Sequence, residues 1–99
     1  MKTKVSLLPK AEEDLKEIID YIAIDRPIVA AKMISRFDSA FERLERNPLI
    51  GNRSKESRLR VLGYRFLVVS SYIIFYKVQP KFVFIYRILH GARNYSEIL

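Results

Sequence analysis

Phe82-Val83-Phe84-Ile85-Tyr86-Arg87-Ile88-Leu89-His90-Gly91-Ala92-Arg93-Asn94-Tyr95 is the stretch whose reading decides the fold. Apolar residues fill nearly every position of its first half, the pattern of a strand covered on both faces, central in its sheet rather than at an edge. The run then delivers Arg87, the chain's one histidine (His90), Arg93 and Tyr95 within nine residues, with Gly91 breaking the strand just after the histidine. A buried strand ending in cationic and hydrogen-bonding groups presents a site on a rigid support. The rest of the chain reads as scaffold for it.

Working back from that strand, which the pattern places over Lys81–Leu89, two further strand-like runs precede it. Tyr72–Val78 is one; Arg58–Val69 is the other, interrupted at Gly63 as by a bulge or bend. The links at Ser70-Ser71 and Gln79-Pro80 are short enough to join only antiparallel neighbours. Asn47–Ser57, rich in proline, glycine and small polar residues, reads as a loop. At eleven residues it is near the upper end for an ordinary connection, where functional loops are more frequent. The tail 94–99 reads as a last half-turn or a frayed end.

At the front, residues 2–8 alternate as a short strand with Val5 and Leu7 inward and lysines outward. A helix over 9–24 follows. Pro9 suits its first turn, and Glu12, Glu13 and Asp14 suit the positive end of its dipole. Ala11, Leu15, Ile18, Ile19 and Ile22 form its apolar stripe. Asp25 reads as the N-cap and Pro27 as the first turn of a second helix over 27–46. That helix carries a seam of Ala30, Ile34, Phe37, Phe41 and Leu44, and it ends before Asn47-Pro48. The short link makes the two an antiparallel hairpin. Asp14, Glu17 and Asp20, with Lys16, Arg36 and Arg43, read as its solvated surface. The sum is an α+β domain over 1–99: an N-terminal strand at a sheet edge, and a helix hairpin packed on one face of a three- to four-stranded antiparallel sheet.

Composition narrows the function classes. A hydrophobic fraction of 49% excludes a disordered chain. No run approaches the ~20 apolar residues of a membrane span, and no signal-peptide core follows Met1. With no cysteine there is no disulfide framework, and the cytoplasm is the expected compartment. Residues 1–45 hold 8 Lys/Arg and 9 Asp/Glu, whereas residues 46–99 hold 10 Lys/Arg and 2 Asp/Glu. So uneven a balance points to a face that meets polyanions, nucleic acid or an acidic protein; a basic surface without a target is the plainer reading.

One histidine and no cysteine leave no plausible metal centre, and neither a serine triad nor a phosphate loop is spelled out. No cofactor is expected. A metal-free cationic site remains, of the kind RNA cleavage needs: a proton acceptor, a proton donor and cations for the phosphorane charge. Arg58, Arg60, Arg65, Arg87 and Arg93 supply cations. His90 and Tyr95 handle protons, and Tyr64, Tyr72 or Tyr76 offer stacking surfaces. Each has a plainer reading beside it: His90 as a strand-end structural residue, the arginines as solvated or phosphate-positioning groups, the tyrosines as core.

The chain resembles the RelE/ParE superfamily of type II toxins over nearly its whole length. The likeness rests on Leu8-Pro9-Lys10-Ala11 before Asp14-Leu15, on Tyr21-Ile22-Ala23 with Asp25 and Pro27, and on Ala30-Ala31. It continues through Asn47-Pro48 before Gly51, Leu59-Arg60-Val61-Leu62, Tyr72–Tyr76 and Ile88-Leu89-His90-Gly91-Ala92-Arg93. The hairpin and the His-Gly-Ala-Arg ending look ParE-like, which implies a non-enzymatic inhibitor of DNA gyrase. A RelE-like chain would instead be a ribosome-dependent mRNA endonuclease, with His90, Arg93 and Tyr95 as catalytic groups and Arg58, Arg60, Arg65 and Arg87 binding the target. An inactive relative that only binds its antitoxin is a third reading. The resemblance implies a cognate antitoxin whose acidic segment folds on binding to give a hetero-oligomer.

Overall fold

The computed structural model describes residues 3–99, so Lys2 of the expected first strand lies outside them. The chain runs β1 (Lys4–Leu7), α1 (Pro9–Asp25), α2 (Pro27–Arg46), β2 (Asn52–Arg53), α3 (Ser57–Val61), β3 (Arg65–Val69), β4 (Tyr72–Val78), β5 (Phe82–His90) and α4 (Tyr95–Ile98). The strands form one sheet in the order β1-β5-β4-β3-β2. β1 lies parallel to β5 at one edge, and the other pairings are antiparallel. No helix among the described residues is long and apolar enough to cross a membrane.

The helix hairpin covers one face of the sheet, as its periodicity predicts. Ala11, Met33, Phe37, Ala40 and Leu44 pack on Ile74, Tyr76, Val83, Ile85 and Ile88. Each fully buried Phe, Leu, Ile or Val side chain among them contributes about 1.5–3 kcal/mol. The seam on α2 is displaced from the expected one. Met33 and Ala40 are buried, while Ile34 is exposed and Phe41 only flanks the core. The hairpin turns on a single residue, Arg26. Because the residue before a proline avoids the helical region, Arg26 leaves it (φ −138°), and Asp25 stays in α1 rather than capping α2.

Two expectations fail between the helices and β4. The eleven-residue loop contains β2, a two-residue strand paired with Arg65 and Phe66, so the sheet has five strands rather than three or four. The strand expected over Arg58–Val69 is a short helix, a turn and then β3. Gly63 (φ +89°) is the left-handed residue that ends α3, not a bulge. Its N–H donates to the Arg60 carbonyl and that of Tyr64 to the Leu59 carbonyl, the paired bonds of a Schellman cap. Leu59 and Tyr64 then meet in a second core on the opposite face of the sheet, with Phe75 and Leu89. The tail folds as α4 and closes that core with Tyr95, Ile98 and Leu99.

Asp14 departs furthest from expectation. It is buried, not solvated. β1 follows β5 only from Phe82 to Ile85, and beyond that point the edge of β5 faces α1. There the Asp14 carboxylate accepts from Arg87 Nε (2.7 Å), Arg87 Nη2 (2.9 Å) and the Ile88 N–H (3.0 Å). The bond to Asp14 holds the Arg87 guanidinium above its ordinary pKa, against the opposing effect of burial. A buried pair broken on one side leaves an uncompensated charge. Asp14→Ala is therefore expected to cost about 3–5 kcal/mol in urea unfolding. Asp14→Leu with Arg87→Met should recover all but the ~1–3 kcal/mol of the unpaired Ile88 N–H. A single-variant loss under about 1 kcal/mol would class the bridge with weak surface pairs.

Candidate functional site

Three of the five arginines singled out in the sequence hold the fold together. Arg87 is bound by Asp14 as described. Arg65, at the start of β3, donates from Nη2 to the carbonyls of Leu49 (3.1 Å) and Gly51 (2.9 Å). Arg58, on α3, donates to the carbonyls of Ser96 and Leu99 and pairs with Glu56 at 3.7 Å, fastening α4 to the second core. Arg60 and Arg93 are exposed and make no side-chain hydrogen bond or ion pair among the described residues.

The loop held by Arg65 is also pinned from beneath. The buried Tyr76 hydroxyl accepts from the Gly51 N–H (2.9 Å) and donates to the Pro48 carbonyl (2.9 Å). A Cβ on Gly51 would stand 2.5 Å from both the Phe66 carbonyl oxygen and the Tyr76 hydroxyl. The Asn47-Pro48…Gly51 signature is thus a packing requirement, and Tyr76 belongs to the core rather than to a stacking surface.

The expected catalytic trio is divided. His90 ends β5 and stands edge-on to Tyr72, centroids 5.5 Å apart, on the helix-hairpin side, where Tyr72 packs against the first core. Its Nδ1 accepts from the Ala92 N–H at 3.1 Å, so in the neutral ring the proton sits on Nε2. His90 and Arg93 line a cleft of about 300 Å³ whose other wall carries Asp14, Glu17 and Tyr21 of α1. Tyr95 is not there. Its ring packs at 5.0 Å on Phe75, half-buried against the second core on the other face of the sheet.

The cleft has donors at His90 and Arg93 and a carboxylate at Glu17, with Tyr21 exposed beside them. Such a mixed-charge surface suits recognition of a polar partner. Sequence reasoning did not find its α1 wall, although Asp14 carried a signal: it lies three residues after Ala11 and four before Ile18, on the apolar stripe itself. Among the described residues no three His, Asp or Glu groups converge as metal ligands.

Over residues 5–95 the chain matches the family described as ParE toxin of type II toxin–antitoxin system, parDE. No curated protein matches it. Among solved structures it is similar to the chromosomal ParDE TA system from P. aeruginosa, with TM-score 0.74 and 21% identity over 90% of this chain and 96% of that one. It is also similar to the toxin–antitoxin complex RelBE2 from Mycobacterium tuberculosis, with TM-score 0.64 and 22% identity over 91% of this chain and 99% of that one. The YoeB dimer from Staphylococcus aureus has TM-score 0.64 and 19% identity over 91% and 98%. These likenesses are of fold. The family match extends over nearly the whole chain, and the chain belongs to the ParE toxin family of type II toxin–antitoxin systems.

The pinned loop gives a direct check. Gly51→Ala should shift the backbone and lower the thermal midpoint. Tyr76→Phe should cost about 1–3 kcal/mol by orphaning the Gly51 N–H and the Pro48 carbonyl. Amide exchange at Gly51 should then accelerate; unchanged protection there would mean that the hydroxyl does not hold the loop.

Proposed function

We propose that this ParE-family toxin arrests growth by inhibiting DNA gyrase, acting as a binding module rather than cutting RNA. The observation that carries the reading is the dispersal of the groups that metal-free RNA cleavage would require. Such cleavage needs a base, an acid and cations around one phosphate. Here His90 and Arg93 share a cleft, Tyr95 packs against the second core on the other face of the sheet, and Arg58, Arg65 and Arg87 are engaged by the fold itself. The ParE family match supports the same reading. In it, the cleft of His90, Arg93, Glu17 and Tyr21 is the surface that meets the target.

The solved ParDE, RelBE2 and YoeB–YefM structures are toxin–antitoxin assemblies by their descriptions. By extension we propose an antitoxin for this chain, bringing an acidic, amphipathic segment that folds on the basic half. Salt should slow such an encounter.

Purified protein is expected to inhibit gyrase supercoiling of relaxed plasmid in proportion to dose, with reversal by the antitoxin. Tyr95→Phe should leave growth arrest unchanged, and Arg93→Ala should weaken gyrase inhibition. Growth arrest without gyrase inhibition, with cut mRNA lost in Tyr95→Phe, would overturn the proposal in favour of a ribosome-dependent endonuclease.

A further inference from the structure

The second face of the sheet is only half covered. α3 and α4 close over Phe75, Leu89 and Ile73, but among the described residues neither core extends past Tyr86 to Phe82 and Phe84. There Phe82 and Phe84, two residues apart on β5, stand in parallel with ring centroids 5.4 Å apart and planes 15° apart. Phe82 is 39% exposed, and both rings lie outside the two core clusters. Tyr86 follows on the same face, but it packs against the second core and meets Tyr64 edge-on, centroids 5.4 Å apart, so it borders the open pair. Lys77, directly across from Phe84, holds its ammonium 4.5 Å from the centre of the Tyr64 ring and 4.9 Å from that of Tyr86. Lys4 pairs in register with Phe82.

The strands carry charge of one sign, and the two carboxylates outside the helix hairpin, Glu56 and Glu97, lie at α3 and α4. None of the five strands contains an aspartate or glutamate, and nine of the chain's eleven carboxylates sit on α1 and α2, in the layer behind the sheet. Lysines beside the rings do not suit a purely apolar partner. A pair of flat rings with lysines beside it, on strands that carry no carboxylate, fits a ligand with flat apolar faces strung on a polyanionic backbone. That is a single strand of nucleic acid, whose bases stack on aromatic side chains while phosphates meet the cations. Duplex DNA hides its base faces and would use only the charge.

We propose that this uncovered half-face, Phe82 and Phe84 with Lys4 and Lys77, binds single-stranded nucleic acid by base stacking. The surface is separate from the His90–Arg93 cleft, and the proposal does not rest on gyrase as the target. Stacking has no sugar preference, so DNA and RNA share the chemistry, and short oligothymidylate and oligouridylate probes distinguish them.

The test is fluorescence anisotropy of the full chain with each labelled oligonucleotide and with a duplex of equal length, across a salt series. At least one single strand should bind more tightly than the duplex. Phe82→Leu keeps an apolar side chain at an exposed position but removes the ring, and it should weaken binding about ten-fold; Phe82→Tyr should restore it. Lys4→Gln should reduce the log–log salt slope by about 0.7. Circular dichroism on each variant confirms that it is folded. No binding to either strand, duplex binding as tight as single-strand binding, or a Phe82→Leu variant that binds unchanged would each overturn the proposal. So would sedimentation showing that the face is covered by a second copy of the chain, with dissociation on Phe82→Leu and no oligonucleotide bound.

Discussion

The carboxylate of Asp14 is the constraint on which the arrangement depends. A central strand must satisfy the polar groups along both of its edges, and β5 has β4 on one side for its whole length but β1 on the other only as far as Ile85. The Tyr76–Ile85 and Phe75–Arg87 pairings bracket an irregularity at this point. Asp14 takes over where β1 stops, accepting both the Ile88 N–H and the Arg87 guanidinium. One side chain thereby completes the strand edge, neutralises a cation and fixes the distance between α1 and the end of β5. The cleft below His90 is the space left between those two elements.

Arginine in this chain is first a structural residue. Its planar fork can satisfy two carbonyls or a carboxylate at once, and three segments are held that way: the loop before β2 by Arg65, α4 by Arg58, and α1 by Arg87. A small domain with a thin core gains from such fasteners, because loops and terminal helices contribute little apolar burial of their own. It follows that the number of basic residues in the back half overstates the charge offered to a partner. Arg60 and Arg93 are the members of the expected set without a side-chain partner among the described residues.

The legible parts of the sequence were those written in long periods. The helix hairpin, β4 and β5 each carry enough turns or alternations to define a face, and their bounds fall within a residue or two of expectation. The illegible parts were short. Arg58-Leu59-Arg60-Val61 alternates charged and apolar residues, and over four positions this fits a strand as well as one turn of helix. The deciding signal lay outside it, in Gly63-Tyr64 as the cap of α3 and in Leu59 as the partner of Tyr64. β2 has two residues and no period to read. Asp14 was lost in the acidic run Glu12-Glu13-Asp14, read as suiting the helix dipole, and in the solvated set with Glu17 and Asp20, although its spacing from Ala11 and Ile18 puts it on the apolar stripe.

The same asymmetry explains why the candidate site was only half visible. Proximity in sequence brought His90, Arg93 and Tyr95 together as a list, but a strand end followed by a turn separates its residues between two faces of a sheet. Past the irregularity between the Ile85 and Arg87 pairings, Ile88 packs in the first core and His90 meets Tyr72 on that same side. Past the turn, Tyr95 begins a helix that folds back under the opposite face onto Phe75. Five residues suffice to cross the sheet, so a cluster of reactive types along the chain is no guarantee of a cluster in space. What the fold does assemble is a wall from α1, sixty to eighty residues earlier in the chain, facing the end of β5. Recognition chemistry in this domain is therefore a property of the contact between the hairpin layer and the sheet, set by Asp14, rather than of the basic segment alone.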